Sequence, residues 1–161
     1  MQSNYIHPTA IIYPNVVMGE NNYIGPYCII GAPAEHRLRF RTTPDKVIIG
    51  DNNTFTGMVT IDGGMERETT IGNNNFIMKH AYIAHDVIIK DNCTICAGVS
   101  IAGHCVINDN VNLGMNAAIH QRVEIPTKCM IGASAFVGKK SILKPQYKYV
   151  GVPVKELKEN K

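Results

Sequence analysis

The chain has no tryptophan, and only 18% of its 161 residues are charged, which is below the roughly 25% typical of soluble domains. Because 45% of the residues are apolar, the sequence excludes an intrinsically disordered chain. No apolar run approaches the about 20 residues that a membrane-spanning helix needs. The first residues also lack the basic and apolar segments of a secretory signal. We therefore expect one cytoplasmic domain with a packed core and no membrane contact.

The sequence also lacks the features of a disulfide-bonded protein and of a nucleic-acid-binding protein. The five cysteines are an odd number, which argues against a closed disulfide framework. Cys93 and Cys96 form a CxxC without a second pair nearby, so they indicate core filling more than metal or redox chemistry. The net charge of +3 comes from the end of the chain, where residues 139–161 hold seven Lys and two Glu. No nucleic-acid-binding motif is present, and such a basic end suits an acyl carrier protein or the phosphates of coenzyme A.

What the sequence does contain is a period of six. Large aliphatic residues recur every sixth position from Ile71 to Leu143. A second column lies four positions after each residue from Ile71 to Val137, and every member of it except Asn75 is small. An amphipathic helix, with apolar positions three and four apart, cannot produce this spacing. Short strands with alternating large and small inward residues predict a narrow three-sided solenoid, with six residues per side and 18 per coil. The fold class is therefore all-β, a parallel β-helix.

The same period runs through residues 6–30 and 49–61, with two breaks. One break is a charged loop insertion at 32–46, and the other adds about four residues near 65–70. We predict six or seven coils forming a β-helix domain over residues 1–149. Residues 150–161 form a tail with a short C-terminal helix.

Three histidines fall at one edge of this solenoid. Hexads that begin at Ile83, Ile101 and Ile119 lie 18 residues apart, so their ends stack on neighbouring coils. This spacing places His85, His104 and His120 near one edge, and His80 precedes that edge on the adjoining side. A neutral imidazole can act as a general base near pH 7. Asp86 can fix the tautomer of His85, and the Gly103 N–H can donate to an oxyanion.

The repeat resembles the hexapeptide-repeat superfamily. The segments 80–86, 102–104 and 118–121 resemble the UDP-N-acetylglucosamine O-acyltransferases of lipid A synthesis. That resemblance implies a left-handed β-helix and a homotrimer. It also implies transfer of an acetyl or short hydroxyacyl group from acyl-CoA or acyl carrier protein to a hydroxyl or amine of a sugar nucleotide. No bound cofactor or metal is implied.

The resemblance also implies roles for individual residues. The catalytic residues are His85, Asp86 and Gly103. The substrate-binding residues are His80, Tyr82, His104, His120, Gln121, His36, Arg37 and Arg39. The acyl-donor-binding residues are Ala133, at a position that gates acyl length, together with Lys139 and Lys140.

Several positions depart from that family. Tyr82 stands where the family has histidine, and Arg37 stands where it has an acidic nucleotide-sugar contact. No counterpart of the family's C-terminal helical domain follows, and residues 150–155 resemble the ending of small CoA-dependent sugar acetyltransferases. We therefore expect a sugar nucleotide different from the lipid A acceptor, for instance one with an amino sugar.

Two alternatives remain. The His80-x4-His85 spacing resembles γ-type carbonic anhydrases, which use the same solenoid and a catalytic zinc with three protein ligands and an open position. The third possibility is a scaffold without catalytic activity, because a fold does not fix a function. The histidine edge favours an enzyme over a scaffold.

Overall fold

The computed structural model describes residues 3–160. The described residues form 22 short strands and no helix. The strands are β1 (Tyr5–Ile6), β2 (Ile11–Ile12), β3 (Val16–Met18), β4 (Tyr23–Ile24), β5 (Ile29–Ala32), β6 (Val47–Ile49), β7 (Thr54–Phe55), β8 (Thr60–Asp62), β9 (Thr69–Ile71), β10 (Phe76–Ile77), β11 (Tyr82–Ile83), β12 (Ile88–Ile89), β13 (Thr94–Ile95), β14 (Ser100–Ile101), β15 (Val106–Ile107), β16 (Asn112–Leu113), β17 (Ala118–Ile119), β18 (Glu124–Ile125), β19 (Met130–Ile131), β20 (Phe136–Val137), β21 (Tyr147–Val150) and β22 (Lys155–Glu159).

The strands assemble into three sheets that form the sides of a prism. Sheet 1 has the order β1-β4-β7-β10-β13-β16-β19-β21-β22, sheet 2 the order β2-β5-β8-β11-β14-β17-β20, and sheet 3 the order β18-β15-β12-β9-β6-β3. Each coil passes from sheet 1 to sheet 2 at the first corner and to sheet 3 at the second corner. It returns to sheet 1 at the third corner. Ile83 pairs with Ile101 and Ile101 with Ile119 in parallel register, which confirms the coil of 18 residues.

The six-residue period fills the interior of the prism. From Ile71 to Val137, every residue of the large aliphatic column is at most 2% exposed. The small column between them is buried as well, and four of the cysteines, Cys28, Cys93, Cys105 and Cys129, are among its buried members. Large and small side chains therefore alternate around a dry, closely packed core, whose burial is the main favourable term in folding.

Buried asparagines line the lower part of the third corner. Asn53 is 0% exposed, its amide donates to Asn22 Oδ1 at 3.0 Å and to the Gly72 carbonyl at 2.8 Å, and its Oδ1 accepts the Asn75 N–H at 2.9 Å. We call Asn22, Asn53 and Asn75 the asparagine ladder. Because each amide binds the next coil, the buried polar groups of this corner are satisfied.

The predicted C-terminal helix is wrong. Residues 155–159 form β22, which pairs antiparallel with β21 after a turn at residues 151–154. Gly151 has φ +97° in that turn, a backbone conformation that favours glycine. The Lys- and Glu-rich tail suits a helix by propensity, but its backbone instead completes the hydrogen bonds of β21.

The number of coils is also larger than expected. Sheet 1 has eight parallel strands within the described residues, one more than the upper end of the expected six or seven coils.

Both breaks in the period lie at the second corner. The insertion that precedes β6 and the extra residues between β8 and β9 each connect sheet 2 to sheet 3. The extra residues between β8 and β9 lie one coil below His85, and the insertion between β5 and β6 lies two coils below it. The irregular parts of the sequence are therefore concentrated where the histidine edge was predicted.

Among residues 3–160, the structure contains no helix with the length and apolarity to cross a membrane.

Candidate active site

The second corner is built from tight turns that stack from coil to coil. The turns after β11, β14 and β17 place Asp86, His104 and Arg122 at equivalent positions, each with φ +62°. His104 N–H donates to the His85 carbonyl at 3.1 Å, and Arg122 N–H donates to the Gly103 carbonyl at 3.0 Å. These bonds hold neighbouring turns in register, so side chains of successive coils lie against one another.

His85 and Asp86 form a hydrogen-bonded dyad. His85 Nδ1 lies 2.6 Å from Asp86 Oδ2, with side chains that are 15% and 0% exposed, respectively. An ionised carboxylate can only accept, so Nδ1 carries the proton and donates it. His85 Nε2 makes no hydrogen bond within the described part of the chain, and in this tautomer it is unprotonated. The turn thus presents a free imidazole nitrogen that can accept a proton.

Asp86 is held from the coil below. Its Oδ1 accepts backbone N–H groups of Met65, Glu66 and Arg67 at 2.9, 2.9 and 2.8 Å, and its own N–H donates to Thr69 Oγ1 at 2.9 Å. Burial by itself raises the pKa of this carboxyl group. The hydrogen bonds from His85 and the three N–H groups outweigh burial and lower the pKa of Asp86 to about 2. Asp86 is therefore ionised at neutral pH and stabilises a protonated His85.

Gly103 makes room for the His85 ring. A Cβ built at this position would lie 2.6 Å from His85 Cε1 and 2.8 Å from His85 Nε2, so a side chain there would displace the imidazole. The Gly103 N–H donates no hydrogen bond within the described residues. The site therefore brings a free backbone donor next to the free nitrogen of the base.

His104 lies beside the dyad. Its ring centroid is 5.2 Å from that of His85 in an edge-on arrangement, and its Nε2 is 3.5 Å from Asp86 Oδ2. Burial lowers the pKa of His104 despite the nearby Asp86 carboxylate, which favours the neutral ring. Arg67 connects the His104 turn to the Asp86 turn, because its guanidinium donates to the backbone carbonyls of Asp86 and His104 at 2.8 and 3.3 Å.

A second buried carboxylate lies close by. Tyr82 donates its O–H to Asp62 Oδ2 at 2.6 Å, and the Glu35 N–H donates to the same oxygen at 3.3 Å. Burial raises the pKa of Asp62 and of Tyr82. Next to Glu35, the His36 ring lies 6.4 Å from the His85 ring. The insertion therefore approaches the dyad and is fastened to sheet 2 through Asp62.

Other predicted residues lie further along the same corner. His120 is two coils above the dyad. Its Nδ1 is 3.1 Å from the Gln121 carbonyl oxygen, and its ring packs edge-on against Phe136 at 6.4 Å. Arg37 and Arg39 are exposed on the insertion. Arg39 donates to the Met65 carbonyl at 3.5 Å and borders a cleft of about 230 Å³ between the insertion and the turn at 63–67.

Four predicted residues lie away from the dyad within one chain. His80 and Ala133 are exposed at the first corner, separated from the dyad by a strand of sheet 2. Lys139 and Lys140 are exposed after β20, and Lys139 borders a separate cleft of about 400 Å³. His80 and His85 therefore do not meet at one corner of a single chain.

No sequence pattern identified several residues that lie around the dyad. Asp62, Thr69 and the backbone of 65–67 contribute bonds that no motif marks, since three of the contacts come from peptide N–H groups. The break in the period near 65–70 was the available signal. The break indicated an irregular turn, but it did not indicate that the N–H groups of this turn donate to Asp86.

The donor atoms of His85, Asp86 and His104 lie within 4.8 Å of one another, so their number and type match a metal site. Their bonding does not favour one. Asp86 Oδ1 accepts three N–H groups and Oδ2 accepts the His85 ring, so a cation there would displace the hydrogen bonds that define the dyad.

Comparisons with known proteins agree with this fold. The family model described as bacterial transferase hexapeptide (six repeats) matches residues 1–32 and 68–103. The acyl-[acyl-carrier-protein]–UDP-N-acetylglucosamine O-acyltransferase of Helicobacter pylori (strain Shi470) is 35% identical over 125 residues, which are 76% of this chain and 46% of that protein. The enzyme of the same name from Aliarcobacter butzleri (strain RM4018) is 39% identical over 127 residues, 76% of this chain and 48% of that protein.

Solved structures extend the match. The UDP-N-acetylglucosamine acyltransferase from Bacteroides fragilis 9343 superposes with a TM-score of 0.93 at 28% identity, over 99% of this chain and 62% of that chain. The enzyme of Francisella novicida gives a TM-score of 0.78 at 27% identity, over 98% of this chain and 69% of that chain. The chain spans about half the length of the curated relatives it matches.

A three-sided parallel β-helix with a histidine–aspartate dyad at one corner defines a hexapeptide-repeat protein with a candidate active site. Residues 1–32 and 68–103 are similar to the bacterial transferase hexapeptide family. Over most of its length the chain is similar to the UDP-N-acetylglucosamine O-acyltransferases.

Proposed function

We propose that the protein is an acyltransferase that moves an acyl group from a thioester, acyl-CoA or acyl carrier protein, to a hydroxyl or amine of a sugar nucleotide. The observation that carries this proposal is the pairing of two free groups. His85 Nδ1 donates to Asp86, His85 Nε2 has no hydrogen-bond partner among the described residues, and the Gly103 peptide lies close to that nitrogen. The names of the relatives supply the substrate class.

The residues of this corner account for each proton and bond in the transfer. His85 Nε2 takes the proton from the acceptor O–H or N–H as the oxygen or nitrogen attacks the thioester carbonyl carbon. The Gly103 N–H donates to the oxyanion that forms on the carbonyl oxygen, and Asp86 stabilises the protonated imidazole. The C–S bond then breaks, and the protonated His85 gives its proton to the leaving thiolate, which restores the neutral base.

The remaining predicted residues fit around this centre as binding residues. Tyr82, His104, His36, His120 and Gln121 surround the corner on its own and neighbouring coils, where an acceptor would lie. Arg37 and Arg39 on the insertion carry charges suited to a diphosphate. His80, Ala133, Lys139 and Lys140 would belong to the site only if a second chain brought them to it. We therefore propose a homotrimer in which they contribute from a neighbouring subunit, with the donor thioester between subunits.

A thioester-consumption screen against a panel of sugar nucleotides tests the activity. Under the best pair of substrates, His85→Ala should reduce turnover roughly 10²–10⁴-fold without changing the circular dichroism spectrum or oligomeric state. His7→Ala is the matched control, because His7 lies on the first coil and bonds to Thr9 Oγ1 at 2.9 Å. Undiminished turnover in His85→Ala would contradict the assignment.

The zinc hydratase alternative has its own outcome. Stoichiometric zinc in the purified protein, together with CO2 hydration that a chelator abolishes, would replace the acyltransferase proposal with the hydratase.

A further inference from the structure

The strongest unexplained feature is the carboxylate of Asp62. It is 1% exposed, yet no lysine or arginine is among its ion-pairing partners in the described residues. Burial raises the pKa of Asp62, and the hydrogen bonds from the Tyr82 O–H and the Glu35 N–H lower it only in part. A buried carboxylate without a cation is costly unless it is compensated.

The bonds to Asp62 are one-sided. Tyr82 O–H and Glu35 N–H both donate to Oδ2, while Oδ1 accepts no hydrogen bond among the described residues. The two donors come from β11 and from the insertion, so the carboxylate is held in place between two elements that flank His85. One oxygen therefore fixes the group, and the other remains able to accept a hydrogen bond.

On this basis, and resting on the function proposed above, we infer that Asp62, positioned by Tyr82, binds an amino group of the acceptor near the group that His85 deprotonates. A bound ammonium favours the ionised form of Asp62, and an ionised carboxylate only accepts hydrogen bonds, so a donor cation is the matching ligand. An ammonium supplies the missing positive charge as well, which a hydroxyl cannot do. The acceptor is therefore an amino sugar linked to a nucleotide.

Binding to a chain that cannot turn over isolates this role. The His85→Ala variant is titrated calorimetrically with UDP- and dTDP-sugars that carry a free amine at C2, C3 or C4, each beside its hydroxyl counterpart. Adding Asp62→Asn, which keeps the shape and removes the charge, should weaken the best amine ligand roughly 10- to 100-fold, the range for a hydrogen bond to a charged group. The hydroxyl counterpart should change less than about threefold.

Two further variants distinguish the positioning of the Asp62 carboxylate by Tyr82 from a general effect of negative charge near the site. Tyr82→Phe removes the O–H that holds Oδ2 and should reduce the preference for the amine by a smaller factor than Asp62→Asn. Because Tyr82→Phe leaves the carboxylate in place, it also serves if Asp62→Asn does not fold. Glu35→Gln removes a neighbouring exposed charge without touching the Glu35 N–H, and it should leave the preference within about threefold of the unmodified site.

The outcomes keep this inference apart from the proposed function. Equal weakening of amine and hydroxyl ligands by Asp62→Asn, or an equal effect of Glu35→Gln, would overturn the role of Asp62. A wild-type chain that prefers amines in binding but transfers no acyl group would instead overturn the proposed activity and leave Asp62 as the amine-binding residue.

Discussion

The second and third corners of the prism use the same turn for different purposes. At the third corner, Asn21, Asn52, Asn74, Asn92 and Asn110 occupy the position with positive φ, and asparagine is among the residues that tolerate this conformation best. At the second corner, the equivalent positions above the insertion hold Asp86, His104 and Arg122. Five turns of the third corner thus carry asparagine and the next two carry Lys128 and Gln146, whereas the second corner carries the charged and ionisable side chains of the candidate site.

The polar groups of the two corners also point to different partners. The side-chain amides of the asparagine ladder hydrogen-bond to backbone groups of adjacent coils, so their partners lie within the protein. At the second corner, neighbouring turns satisfy Asp86, but His85 Nε2 and the Gly103 N–H have no hydrogen-bond partner within residues 3–160. A corner that leaves donors and acceptors unpaired next to a glycine is equipped to bind a reacting group.

The largest expected effect on the difference between the two corners comes from Gly103→Ala. The added Cβ would lie 2.6 Å from the His85 ring and displace the base, so turnover should fall roughly 10²–10³-fold with little loss of stability. Steady-state kinetics with thermal unfolding measure both effects. Gly138→Ala is the control, because its nearest contact is a Phe136 ring atom at 3.2 Å and it is remote from the dyad. Comparable turnover in the two variants would contradict the geometry.

The third corner should show the opposite profile. Asn53→Ala leaves the Gly72 carbonyl and the Asn75 N–H without their side-chain partner, so the free energy of unfolding should fall by about 2–3 kcal/mol while turnover per folded molecule is unchanged. Urea denaturation measures the loss. The exposed neighbour Asn74→Ala should cost only about 1 kcal/mol, the cost of positive φ for alanine. A larger loss in Asn74→Ala would argue against the ladder.

Acid should affect the second corner through Asp86. Because the folded-state pKa of Asp86 is lowered to about 2, its contribution to stability is present above about pH 4 and is lost as the pH falls toward 2. Asp86→Asn should remove about 1–2 kcal/mol of this pH-dependent stability and flatten the unfolding profile in that window. A profile identical to that of the wild type would show that Asp86 is not held as described.

The smallest effect comes from exchanging residues between the corners. Arg122→Asn places a residue suited to positive φ on an exposed turn and should raise the free energy of unfolding by about 0.5–1 kcal/mol. The reverse change, Asn110→Arg at the equivalent turn of the third corner, should lower it by a similar amount. If both substitutions shift stability in the same direction, backbone strain is not what distinguishes the two positions.

The sequence predicted the core well because burial imposes its period directly. Ile83, Ile101 and Ile119 had to face the interior at one level of each coil, and the structure pairs them. The same spacing placed His85, Asp86 and Gly103 together. It failed at residues 155–159, because a Lys- and Glu-rich segment carries no pattern that reveals pairing with an open strand edge.

The period of six by itself determined the prism, its coil length and the edge at which the histidines stack, because each of these follows from which residues must be buried. Only the tertiary structure decided what surrounds that edge. The two breaks in the period meet at the second corner, where one supplies three N–H groups to Asp86 and the other is fastened through Asp62. These contacts join residues about 20 or more positions apart through backbone atoms, and backbone atoms leave no mark on the choice of side chains.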